Sequence, residues 1–145
     1  MKLNTLSQQD LYIKKSMLPG AGKGLFSKVL IKKGTIIIEY RGKITSWEDA
    51  NHDDGKNAYI YYVNKYHVID AGNNIKWPAR YANDARGIKQ IKGLTNNSTY
   101  IVDENDKVFI KAFKNIPAGA EILVGYGKRY WEVIKKYMAE EKRNQ

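Results

Sequence analysis

The chain has 145 residues, 43% of them apolar, which suits one domain with a real hydrophobic core rather than a disordered segment. Twenty-five Lys and Arg against fifteen Asp and Glu give a net charge of +10, so a solvated basic surface and a specific anionic partner are the two readings of charge. Cysteine is absent and only His52 and His67 offer imidazole, which excludes disulfides and argues against a structural metal; no run approaches a signal peptide or membrane span, so the expected protein is soluble and intracellular, with no membrane contact.

Residues 1–9 are polar and are expected to be flexible. Leu11-Tyr12-Ile13 predicts a short strand, and Pro19-Gly20-Ala21-Gly22-Lys23-Gly24 a glycine loop whose amides can approach a ligand closely. This loop has neither the P-loop spacing nor that of a dinucleotide fingerprint, and a plain turn is its simpler reading. Lys32-Lys33-Gly34-Thr35 then turns into the β-branched run Ile36-Ile37-Ile38, ending at Tyr40-Arg41-Gly42. Thr45 and Glu48 fit a capping box opening a short helix. Residues 58–63 and 66–71 predict a hairpin turning at Asn64-Lys65, its tyrosines best read as sheet packing. The stretch 77–87 mixes aromatic, amide, charge and glycine, as sites do, and is irregular or briefly helical. Residues 87–97 predict a basic loop, and 99–102 with 107–113 a second hairpin.

The run from Ile116 to Gly127 repeats the earlier pattern: Ile116, Gly119, Ile122 and Gly127 are spaced as Ile31, Gly34, Ile37 and Gly42. Two similar turn-and-strand units flanking one site are expected. Gly125-Tyr126-Gly127 isolates one phenol, either as a reactive hydroxyl or as a core tyrosine with a satisfied OH. An amphipathic helix over 128–142 closes a mainly β domain.

Gly22-Lys23-Gly24-Leu25-Phe26, Glu39-Tyr40-Arg41-Gly42, Val68-Ile69-Asp70-Ala71, Ala79-Arg80-Tyr81-Ala82-Asn83 and Gly119 to Gly127 together resemble, in order and spacing, the SET-domain protein lysine methyltransferases. Each motif is weak alone; the five in sequence are specific. The resemblance implies a SET-domain, β-clip-like fold of short sheets with a pseudoknot-like crossing, spanning 10–131, followed by a C-terminal helix and tail over 132–145. It implies S-adenosylmethionine as cofactor, lined by Gly22, Lys23, Gly24, Arg80, Tyr81, Asn83 and Asp84, with Trp131 stacking on adenine. It implies Tyr126 and Tyr40 as catalytic residues, and Tyr40, Val124 and Tyr126 around the substrate lysine. Asp84-Ala85 stand where the family usually has His-Ser, and the cysteine-rich flanks of many members are missing, so no metal is implied.

The implied reaction suits the composition. Lysine must be neutral to accept a methyl group, and at pH 7 a free lysine is neutral only about once in a few thousand. An aromatic, water-poor channel lowers that pKa, so few histidines are needed. The implied partner is a protein carrying a target lysine, histone-like or other. The +10 charge adds electrostatic contact with nucleic acid, and the compartment is cytoplasmic, nuclear or that of a host. Two alternatives stand beside this: a SET-like fold that binds peptides without catalysis, and a basic nucleic-acid-binding module.

Overall fold

The computed structural model describes residues 5–50, 59–87, 90–126 and 139; the expected C-terminal helix and Trp131 lie outside them. Among the described residues, nine strands form three antiparallel sheets of three. The first sheet holds β1 (Leu11–Lys15), β2 (Lys23–Ser27) and β9 (Glu121–Ile122), in the order β1-β2-β9. In the second, β8 (Val108–Ala112) lies between β3 (Ile36–Tyr40) and β7 (Ser98–Val102). In the third, β6 (His67–Asp70) lies between β4 (Lys43–Thr45) and β5 (Ile60–Asn64).

The two turn-and-strand units meet directly. Ile31 and Ile116 form an antiparallel bridge, each N–H donating to the other's carbonyl at 2.9 and 2.8 Å. Both turns close alike: Thr35 N–H on Lys32 O at 3.1 Å, and Ala120 N–H on Pro117 O at 3.1 Å. In each, the third residue is a glycine with positive φ, 92° at Gly34 and 84° at Gly119, as a turn of this handedness requires.

Hydrophobic strands supply the core, and β2 and β8 are buried along nearly their whole length. Leu25, Ile37, Val68, Ile110, Ile116, Ile122 and Val124 are fully buried. Ile37 and its neighbour Ile38 are both buried, against simple alternation, because the β3–β8 register shifts between Ile36 and Ile38. A smaller cluster joins Leu18, Ala85 and Leu123, flanked by Ala21 and Leu94.

Beyond β9 the ladder changes character. Leu123 pairs in parallel with Asn83, and Val124 with Ser98. Val124 N–H reaches Asn83 O at 2.8 Å, and Leu123 O accepts from Asn97 N–H at 2.9 Å and Ser98 N–H at 3.0 Å. The 123–124 backbone thus lies between the two ends of the connection that joins Asn83 to Asn97, which is the expected crossing.

Two local expectations change. Thr45 is not a helix cap: it pairs with Val68 in β4, and Ser46 caps a mere turn by accepting Asp49 N–H at 3.2 Å. The hairpin turns one residue later than expected, at Lys65-Tyr66. Asn64 still pairs with His67, and its Oδ1 accepts Tyr66 N–H at 2.9 Å. Near the N-terminus, Leu6 N–H donates to Ile37 O at 3.2 Å, and its side chain packs on the core.

Candidate active site

Three phenols from three strands converge beside the crossing. Tyr100 of β7 meets Tyr40 of β3 edge-on at 5.8 Å between ring centres, and Tyr61 of β5 at 5.0 Å. Tyr40 and Tyr61 lie 6.4 Å apart. Burial pushes the Tyr100 hydroxyl well above the ordinary phenol range, helped by the neighbouring Tyr126, Tyr40 and Tyr61 phenols and the Asp84 carboxylate. Burial also raises Tyr61. These groups therefore hold their protons through neutral and moderately alkaline pH and form an aromatic, uncharged lining.

The two expected catalytic tyrosines commit their hydroxyl protons to backbone. Tyr126 OH donates to Ala82 O at 2.6 Å, and Tyr40 OH to Tyr59 O at 2.7 Å. A hydroxyl has one proton to give, so any further hydrogen bond each oxygen makes is one it accepts. Tyr40 is nearly buried, while Tyr126 is half-buried. Gly125, beside Tyr126, does not serve close approach: an added Cβ would meet only Asn96 Nδ2 at 3.5 Å, an ordinary contact.

Side chains, rather than a ladder, hold the Tyr126 backbone. Buried Asp84 accepts Tyr126 N–H on Oδ2 at 2.8 Å. Its Oδ1 accepts Arg86 N–H at 2.8 Å and Asn96 Nδ2 at 2.9 Å. Asn97 spans the crossing, donating to Glu121 O at 2.9 Å and accepting Leu123 N–H at 3.0 Å.

The expected cofactor residues divide into two groups. Gly22 precedes β2, which Lys23 and Gly24 open, and Asn83 Nδ2 donates to Lys23 O at 3.0 Å. Among the described residues no hydrogen bond reaches Asn83 Oδ1, which leaves an acceptor at the half-exposed edge of the crossing. Buried Glu121 braces this corner, accepting Ser16 Oγ at 2.7 Å and Met17 N–H at 2.8 Å. A Cβ on Gly24 would displace the Glu121 carboxylate and disturb the hydrogen bonds it makes to Ser16 and Met17. Arg80 and Tyr81 form the second group, and their polar tips face the fold. Arg80 Nη1 donates to Gly72 O at 2.8 Å and Ala71 O at 3.2 Å, with its guanidinium 4.0 Å above the Tyr59 ring. Tyr81 OH donates to Ile75 O at 2.9 Å. Val124 is fully buried within the core.

Sequence reading missed Tyr61, Tyr100, Asn97 and Glu121. Tyr100 lies in a strand whose side chains do not alternate cleanly in burial, so its position left little signal; the partners of Glu121 lie 104 and 105 residues away and leave none.

The SET domain family model matches residues 22–127. The chain belongs to the SET-domain family. This chain is 29% identical over 131 residues to histone-lysine N-methyltransferase 2D of Homo sapiens, covering 86% of this chain and 2% of that protein. It is 28% identical over 125 residues to histone-lysine N-methyltransferase set-1 of Caenorhabditis elegans, covering 79% of this chain and 50% of that one. The chain thus spans half or less of either relative. In fold it is similar to the methyltransferase domain of human PR domain-containing protein 2, with a TM-score of 0.60 at 24% identity, covering 81% of this chain and 77% of that one. Among the described residues no helix is long and apolar enough to cross a membrane, and no cluster of metal-binding side chains occurs.

Proposed function

We propose that this SET domain transfers a methyl group from S-adenosylmethionine to the ε-amine of a lysine in a protein. The observation that carries the reading is the convergence of Tyr40, Tyr61, Tyr100 and Tyr126 at the crossing, with two hydroxyls whose protons are already given away. The relatives' names support a histone-like substrate.

The residues fit the cofactor. An ammonium needs an acceptor, which Asn83 Oδ1 offers beside the Gly22–Gly24 corner. A sulfonium is favoured near phenol faces, by ring quadrupole attraction. When bound, S-adenosylmethionine supplies an electrophilic methyl for in-line transfer to an amine. Gly22, Lys23, Gly24 and Asn83 would hold it, with Asp84 backbone and Trp131 toward the adenine. Arg80 and Tyr81 support this wall through the contacts that fix Gly72 and Ile75.

The chain's own residues do the rest. The phenol walls strip water from the lysine stem, which favours the neutral amine. Tyr126 Oη and Tyr40 Oη accept amine N–H groups and so aim the nitrogen lone pair. Alignment of this kind is worth ~7–11 kcal/mol over free encounter. Raised phenol pKa values keep a phenolate from forming and trapping the ammonium. No side chain needs to act as a conventional base.

The test is methyl transfer from labelled S-adenosylmethionine to core histones, a total protein extract and the protein alone, with lysine located by mass spectrometry. Label on protein lysine is expected. Cofactor binding without label on any lysine would contradict the reading.

A further inference from the structure

A groove of about 580 Å³ opens on the described surface beside Gly125. Its walls are the connection that carries Arg86, Gln90 and Thr95, the β7 residue Thr99, and the segment Phe113-Lys114 that follows β8. The volume falls within the range of about 300–1,000 Å³ usual for ligand sites. Two cations, Arg86 and Lys114, line it together with neutral hydrogen-bonding side chains, and none of its described lining residues is acidic. Asp84 sits one residue before the lining begins, but it is buried and holds three hydrogen bonds of its own. Lys114 is held in place by its Nζ donating to Thr95 Oγ1 at 2.9 Å, so the charge is positioned across the groove. Phe113 is 46% exposed at the same wall, although its N–H is fixed on Asn97 O at 2.9 Å. Lys114 Nζ lies over this ring, 6.0 Å from its centre, and the part of the ring left in water offers a stacking surface beside the cation. The whole chain, at +10, draws polyanions towards it.

We propose that this groove binds single-stranded nucleic acid, with phosphates on Arg86 and Lys114 and a base laid on Phe113. Phosphates need cations without competing carboxylates, and a base needs a flat exposed ring; the groove supplies both within one cavity. Gly22, Lys23, Gly24 and Asn83 are not among its lining residues. It also gives a strongly basic domain a route to basic substrates, by sharing a nucleic acid with them, and its binding does not depend on the methyl-transfer reading.

The experiment is fluorescence anisotropy of the full chain with labelled oligouridylate, with oligothymidylate of equal length, and with heparin as a polyanion without bases, across a salt series. Wild type is expected to bind both oligonucleotides. Arg86→Ala with Lys114→Ala should weaken oligonucleotide binding at least tenfold at low salt and lower the salt slope by about 1.4, at ~0.7 for each phosphate contact. Phe113→Ala should weaken oligonucleotides by about tenfold and leave heparin within twofold. Lys43→Ala with Lys65→Ala removes the same charge from exposed positions on the β4-β6-β5 sheet and should change affinity far less. Equal losses from the two charge pairs would overturn the proposal, as would a Phe113→Ala loss shared by heparin. Preference between the RNA and the DNA strand identifies which nucleic acid the groove favours.

Discussion

The units built on Ile31–Gly42 and Ile116–Gly127 share a turn, a spacing and a bridge, yet they deliver their tyrosines differently. The first runs into β3, which pairs with β8 through Tyr40 itself. Gly42 then lets the chain cross closely over the Asp70–Ala71 backbone, where a Cβ would collide. Tyr40 is therefore fixed by a ladder and nearly buried. The second unit has only two ladder pairs, Leu25 with Ile122 and Phe26 with Glu121, before the chain enters the crossing. Its tyrosine comes after the last bridge and is held by Asp84 and by the OH bond to Ala82. The same local code thus gives one phenol that belongs to a wall and one that depends on side chains gathered from far along the chain. In the proposed reading both hydroxyls face the amine, and the second is the one whose position rests on side-chain contacts.

Equivalent core substitutions probe the comparison most strongly. Ile37→Ala and Ile122→Ala each delete a fully buried side chain and should each cost about 3 kcal/mol in denaturant unfolding. Only Ile122→Ala should also slow methyl transfer by the folded protein, since it loosens the strand that feeds Tyr126. Equal loss of turnover in both would break the distinction. Asp84→Ala leaves Tyr126 N–H and the Asn96 amide short of an acceptor and should cost about 2 kcal/mol, with turnover falling while cofactor affinity changes little. A kinetic split in the other direction, in cofactor KM alone, would move Asp84 from the tyrosine to the cofactor wall. Asn83→Ala should weaken S-adenosylmethionine about tenfold by calorimetry, through loss of one acceptor for a charged group; unchanged affinity would count against that acceptor.

The smallest effect is on pH. Tyr100 and Tyr61 have folded pKa values above those of the unfolded chain, so their stabilisation is present below the ordinary phenol pKa and is lost as pH rises through the folded values. Stability should fall above about pH 10, where unfolded tyrosines ionise first. Tyr100→Phe should flatten that fall, as followed by urea titration at a series of alkaline pH values.

Turns and strands were legible because their signals are local: glycine at a positive-φ position, β-branched runs, and the Asp103–Asp106 hairpin connection. The crossing was legible only through family resemblance, since nothing local places Asn83 beside Leu123. Thr45 misled because a capping pattern survives inside a strand end when sheet pairing wins. Asp84 looked like a departure at a cofactor position; in the fold its carboxylate ties together three segments of chain. The reach of Arg80 to Ala71 and Gly72 was equally hidden, because arginine in a site-like motif carries no mark of where its guanidinium turns.

The most direct measurement is the turnover of Tyr126→Phe against wild type with labelled S-adenosylmethionine, paired with cofactor affinity by calorimetry. Loss of the hydroxyl that aims the amine should lower kcat by about a hundredfold while cofactor affinity stays within twofold. A variant that methylates lysine at the wild-type rate would contradict the assignment of Tyr126 to the reacting centre.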